Sequence, residues 1–282
     1  MTLPEIKSLF LKNLKHLYPE AEIISFFHMA LEHYFSVQRV DLALQPELMR
    51  KEWAGKKLVE VLDELAREKP IQYILGTAEF AGMRYRVDKN VLIPRPETEE
   101  LVYWIIDTLN ARKHSKILDI GCGSGCSPVT LALKLPLAEV HALDVSTKAL
   151  EIARYNAENL NATVQFERIN ILEADRLDEM YEVIVSNPPY VRFSEKSLMR
   201  GNVLKHEPEI ALFVNDEDPL LFYRNIASLA KDGLKSNGIL FFEINEELAE
   251  STCQILEAFE FQNIEVRKDI YGRDRMIRAF KK

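Results

Sequence analysis

The chain has 282 residues, 47% of them apolar and 28% charged, with 44 acidic against 36 basic side chains and a formal net charge of −8. That length supports a full hydrophobic core plus a small accessory domain. The acidic balance counts against a nucleic-acid substrate, because phosphate binding needs a basic surface. No apolar run approaches the length that spans a bilayer, so no membrane association is expected.

Residues 1–75 read as an N-terminal helical unit. Apolar residues recur at helical spacing in Ile6, Leu9, Phe10 and Leu14 and again in Leu58, Val61, Leu62 and Leu65. Pro19, Pro46 and Pro70 punctuate it. Lys51, Lys56 and Lys57 interleave with Glu47, Glu52 and Glu60, which reads as a solvated helix face rather than a phosphate-binding patch. Residues 76–95 read as a linker containing a short β-hairpin around Gly82.

From residue 96 to 282 the pattern becomes alternating strands and helices. Helices are expected at 101–111, 126–135, 147–159, 219–234 and 246–260. Strands are expected at 116–120, 139–143, 164–169, 181–186 and 238–244, with two closing strands at 264–268 and 276–280. Such alternation predicts an α/β fold: a Rossmann-like parallel, doubly wound sheet that binds ligands at the carboxyl ends of its strands. Trp53 and Trp104 read as core or interface aromatics.

Three segments fall at such strand ends. The first is Gly121-Cys122-Gly123-Ser124-Gly125, between a strand and a helix. Its glycines permit close ligand approach, and its Gly-x-Gly-x-Gly spacing differs from the dinucleotide fingerprint. The second is Asp144, whose carboxylate can accept both hydroxyls of a ribose. The third is Asn187-Pro188-Pro189-Tyr190. Adjacent prolines lack N–H donors and keep the chain extended, which leaves carbonyls free. Those carbonyls and the Asn187 oxygen can take both hydrogens of a planar NH2 group, with the Tyr190 ring stacked on its face.

Several residues have plainer readings. Cys122 and Cys126 lack a second ligand pair at zinc spacing and read as small packing residues, so no metal is expected. Three cysteines in all suit a reducing compartment, and Met1–Lys7 lacks a secretory pattern, so the cytoplasm is the expected location. His206 reads as a solvent-facing loop histidine. Asp119 meets either a cofactor amino group or the N–H groups of the glycine loop. Arg95 and Glu97 belong to a proline-bounded turn and form either a lid or a surface pair.

The combination resembles the family of glutamine N5-methyltransferases that act on class 1 peptide release factors. The resemblance covers nearly the whole chain. Beyond the glycine loop and Asn-Pro-Pro-Tyr, it is carried by Pro70–Gly76, by Leu92-Ile93-Pro94-Arg95-Pro96-Glu97-Thr98-Glu99, by Glu207-Pro208 and Ala211-Leu212, and by Asp269–Arg275. It implies an S-adenosylmethionine (SAM) dependent enzyme whose substrate is the glutamine of a Gly-Gly-Gln loop and whose helical domain helps to hold the release factor. Asn187, Pro188, Pro189 and Tyr190 would be catalytic. The cofactor would be bound by Asp119, by Gly121, Cys122, Gly123, Ser124 and Gly125, by Asp144, by Asn170 and Ile171 on the adenine side, and by Asn187. Asn170 stands where the family usually has an acid, and Asn245 where it usually has glycine, which leaves the adenine contact and the loop after the fifth strand open. Two other readings remain: methylation of an exocyclic base amine in DNA or ribosomal RNA, and noncatalytic nucleotide binding.

Overall fold

The computed structural model describes residues 1–50, 52–53, 55–109 and 114–282; Lys51 and the expected helix end at 110–111 lie outside them. The chain divides into two compact units, Met1–Gly76 with Arg200–His206, and Thr77–Met199 with Glu207–Lys282.

The first unit comprises α1 (Leu3–Leu14), α2 (Glu20–Phe35), α3 (Arg39–Leu44), α4 (Glu47–Arg50), α5 (Lys56–Ala66) and α6 (Ile71–Leu75). The apolar stripes seen in the sequence form its core. Phe10 meets Phe27 edge to face with ring centroids 5.6 Å apart, and Leu14, Ile23, Leu58 and Leu65 are fully buried around them. The Thr2 and Glu5 pair forms a capping box at the start of α1. Glu47, Glu52 and Lys57 do not share one helix, because α4 and α5 are separate; Lys57 instead pairs with Glu60 one turn on, at 2.9 Å. Trp53 is half-buried beside Phe35 and donates to the Leu48 carbonyl.

The second unit opens with a two-residue hairpin, β1 (Thr77–Phe80) and β2 (Met83–Arg86), whose turn residues Ala81 and Gly82 both have positive φ. There follow α7 (Pro96–Leu109), β3 (Lys116–Ile120), α8 (Cys126–Lys134), β4 (Glu139–Asp144), α9 (Thr147–Asn159), β5 (Gln165–Arg168) and β6 (Tyr181–Ser186). Next come β7 (Val191–Arg192), then α10 (Gly201–His206), which belongs to the first unit, and β8 (Phe213–Val214), α11 (Leu221–Gly233), β9 (Leu234–Glu243), α12 (Ala249–Ala258), β10 (Gln262–Lys268) and β11 (Asp274–Phe280). The main sheet has seven strands in the order β10-β11-β9-β6-β3-β4-β5. Its first five strands in sequence, β3, β4, β5, β6 and β9, run parallel, while β10 and β11 pair antiparallel. The sheet is therefore mixed rather than wholly parallel: β11, which lies between β10 and β9 and is joined to β10 by a tight connection, is the strand that runs against the others.

Strands β3, β6 and the second half of β9 are buried on both faces, which explains the consecutive apolar residues Ile117-Leu118, Val183-Ile184-Val185 and Ile239–Phe242. On one face Trp104 of α7 packs edge to face on Phe241, and the guanidinium of Arg267 lies 4.2 Å from its ring centroid. On the other face Tyr223 of α11 meets Phe242.

Two sequence expectations need correction. α7 begins at Pro96, not near Leu101; proline at the first helical position and the acids Glu97 and Glu99 in the first turn start it. His206 does not sit in a loop. It ends α10, which groups with the first unit: its Nε2 lies 3.3 Å from the Arg67 carbonyl, Lys205 pairs with Glu68, and Arg200 lies 3.4 Å from Glu22.

Candidate active site

Strand register brings the three motifs together. Ile120 of β3 pairs with Ser186 of β6 on one side and with Leu143 of β4 on the other. The residues that follow, Gly121, Asn187 and Asp144, therefore leave the sheet side by side. The Ser186 hydroxyl donates to the Ile120 carbonyl at 2.7 Å and fixes this edge. A Cβ built on Gly121 would lie 4.0 Å from the Asn187 carbonyl oxygen, so the glycine loop and the proline motif are neighbours. Chain order reverses beside β3, where open α/β sheets leave a crevice.

That crevice is a cavity of about 300 Å3. Its wall includes Asp119, Gly121, Cys122, Gly123, Ser124, Asp144, Asn170, Ile171, Asn187, Pro188 and Pro189. Two expected site residues, Gly125 and Tyr190, stand behind the wall. Gly125 has φ +78°, and a Cβ there would meet that of Ala153 at 2.9 Å, so glycine is what lets α9 approach the loop. The Tyr190 ring is not available for stacking in the cavity; it packs into the core, and its hydroxyl donates to Glu243 Oε1 at 3.0 Å.

The loop's N–H groups are held mostly by protein. Gly121 and Cys122 donate to the Leu143 carbonyl, Gly125 to the Cys122 carbonyl, and Gly123 to Asp144 Oδ2 at 2.9 Å. The other Asp144 oxygen accepts from Ser146 N–H at 2.8 Å. Each carboxylate oxygen keeps a second lone pair, which suits a vicinal diol. These bonds leave no loop-capping task for Asp119. Its carboxyl receives no hydrogen bond among the described residues, and burial, followed by the charge of Asp144, pushes its pKa up to about 8. A carboxyl in that state gains by ionising against a cation.

Asn170 Oδ1 accepts from Leu172 N–H at 3.2 Å and keeps one lone pair beside the apolar Ile171. Asn245 adopts φ −68°, which needs no glycine. It caps the following turn through Glu247 N–H and donates to the Tyr190 carbonyl at 3.3 Å, so this departure supports the proline motif. Cys122 and Cys126 are buried free thiols whose pKa values burial raises, that of Cys126 to about 12; neither is poised as a nucleophile.

Two networks were not legible in the sequence. Asn187 Nδ2 donates to Thr98 Oγ1 at 3.0 Å, and Thr98 donates to Glu243 Oε2 at 2.5 Å. Burial raises the pKa of Glu243, opposed by the Thr98 and Tyr190 hydroxyls and by Arg275. A lone acid closing the apolar run Ile239–Phe242 was the signal for it. Arg95 does not pair with Glu97; it reaches the buried Glu207, 2.6 Å away, which also accepts from Ile93 N–H. Arg95 thus anchors a cavity wall rather than a surface pair.

Fold and cavity define a Rossmann-like sheet with a ligand crevice at its strand ends, and the relatives give the class, a methyltransferase. The methyltransferase small domain family matches residues 103–208. The release factor glutamine methyltransferase of Flavobacterium psychrophilum is 47% identical over 99% of this chain and 99% of its own length. That of Bacteroides thetaiotaomicron is 42% identical over 95% and 96%. Among solved structures, the T. thermophilus 16S rRNA N2 G1207 methyltransferase, in complex with AdoMet and guanosine, has the same fold with a TM-score of 0.52 at 17% identity, over 73% of this chain and 50% of that one. The chain belongs to the release factor glutamine methyltransferase family, as the sequence motifs implied.

Among the described residues, no helix is long and apolar enough to cross a membrane.

Proposed function

We propose that this protein transfers a methyl group from SAM to the side-chain amide nitrogen of the glutamine in the Gly-Gly-Gln loop of class 1 release factors, in the cytoplasm, and so tunes translation termination. The observation that carries the reading is the adjacency of Asn187 and Gly121 on one cavity.

The donor set fits SAM. Asp144 would receive the ribose hydroxyls, Asn170 and Ile171 the adenine, and Asp119 the cationic amino group. Bound there, SAM supplies a methyl already activated by its sulfonium. The remaining task falls to the chain. A carboxamide nitrogen is a poor nucleophile because its lone pair is delocalised into the carbonyl. Asn187 Oδ1 and the Pro188 carbonyl accept its two N–H groups, orient it, and favour positive charge developing on nitrogen. Pro188 and Pro189 offer no competing N–H donor there. The amide proton leaves after the methyl has moved.

The helical unit at residues 1–75 would help to hold the release factor. Nucleic acid is not an expected partner, since the chain is acidic and relatives similar along its whole length carry names that specify a protein substrate. Incubation with methyl-labelled SAM and either a release factor or ribosomal RNA tests the reading. Label on the glutamine of the release factor supports it; label on RNA alone overturns it.

A further inference from the structure

We propose that Thr98 and Glu243 are positioning residues that set the polarity of the Asn187 carboxamide, so that its oxygen rather than its NH2 group faces the acceptor. The inference rests on the reading of Asn187 as the acceptor's hydrogen-bond partner.

Glu243 is 1% exposed and accepts two hydroxyl protons, from Thr98 on one oxygen and from Tyr190 on the other. Burial raises the Glu243 pKa, and the two hydroxyls and the charge of Arg275 oppose that rise; the geometry, with one hydroxyl donor at each oxygen, makes Glu243 the acceptor on both sides. A threonine hydroxyl has one proton and two lone pairs. With that proton committed to Glu243, Thr98 Oγ1 can meet Asn187 only as an acceptor. Asn187 must therefore turn Nδ2 toward Thr98, as it does at 3.0 Å. Its Oδ1 receives no hydrogen bond among the described residues, while the residue lines the cavity.

The direction matters for chemistry. An asparagine that presented its NH2 group would oppose two donors to the donors of a substrate amide and repel it. The chain Glu243–Thr98–Asn187 prevents this by sending one proton donor after another toward the buried acid. It also explains why a threonine of the first turn of α7 is buried and why an acid ends the apolar strand β9.

The test compares Thr98→Val, Thr98→Ser and Glu243→Gln with the unaltered protein. Val keeps the shape and removes the hydroxyl; Ser keeps the hydroxyl. In Glu243→Gln the new NH2 can donate to Thr98 and let the whole chain reverse. We expect Thr98→Val and Glu243→Gln to lower kcat about 10- to 100-fold, the size of a lost oriented contact, while the dissociation constant of SAM stays within about threefold. Thr98→Ser restores kcat to within about threefold of the unaltered enzyme. Independently of activity, nuclear magnetic resonance of the Asn187 side chain in the ligand-free protein should find one Nδ2 proton protected from solvent exchange. That protection disappears in Thr98→Val and returns in Thr98→Ser.

Equal losses in the Val and Ser variants, or unaltered protection in Thr98→Val, overturn the inference. An unaltered enzyme that leaves glutamine unmethylated but keeps the predicted protection pattern would instead overturn the proposed function and leave the Asn187 orientation standing.

Discussion

Arg95 reaches Glu207 across 112 residues of chain, with their nearest polar atoms 2.6 Å apart and the Glu207 side chain 1% exposed. The pair joins the segment before α7 to the segment before β8, and both segments line the cavity. Removing the guanidinium leaves a buried carboxylate with, among the described residues, only the Ile93 N–H as partner. Arg95→Ala should therefore cost about 2 kcal/mol in chemical denaturation, less than the ~3–5 kcal/mol of a fully buried pair because the Arg95 side chain is 33% exposed. Glu207→Gln, which keeps an acceptor for Ile93, should cost less than Arg95→Ala. The reverse order would contradict the role assigned to the ion pair.

Gly125 gives a separable prediction. Gly125→Ala meets both a positive φ and the Ala153 Cβ at 2.9 Å, and should destabilise the fold by about 1–3 kcal/mol. Adding Ala153→Gly should recover little, since the Ala153 Cα would still lie 3.1 Å from the new Cβ and a glycine inside α9 itself costs about 1 kcal/mol. Full recovery in the double variant would contradict both the backbone strain and the close approach of α9.

Asp119 sets a pH dependence. In the unfolded chain its carboxyl ionises near pH 4; in the fold it holds its proton to about pH 8. Between those values the folded state binds a proton that the unfolded state has lost, so stability falls as pH rises, by up to about 1.4 kcal/mol per pH unit, and the contribution is gone above pH 8. Thermal denaturation from pH 5 to 8 should have a shallower slope in Asp119→Asn. The same ionisation should make SAM bind more tightly as pH rises toward 8, with proton release measurable by calorimetry in buffers of different ionisation heats. A flat profile in the unaltered protein would remove Asp119 from the cofactor site.

The parts legible in the sequence were those fixed by local pattern. Apolar alternation located β3, β4 and β6 closely, and the placing of motifs at strand ends gathered Gly121, Asp144 and Asn187 on one cavity. What the sequence hid depends on long-range pairing. Thr98 and Glu243 are separated by 145 residues, and nothing local marks their hydrogen bond. The reversal of β11 is set by the tight turn that joins it to β10, where Gly272 has positive φ, and periodicity carries no sign of strand direction. Tyr190 was read as facing a ligand because it adjoins the prolines; the buried acceptor Glu243 turns it inward. The helix Gly201–His206 lies in the middle of the second unit's sequence yet clusters with the first, through pairings such as Lys205 with Glu68 that no spacing rule reveals.

Methyl transfer in this reading depends on the grip of Asn187 on the acceptor amide. Its most direct test is single-turnover methyl transfer to a full-length release factor by Asn187→Ala at saturating SAM, with SAM affinity measured alongside. The rate is expected to fall about 100- to 1000-fold below that of the unaltered enzyme, with a much smaller change in SAM binding. A near-normal rate would contradict it.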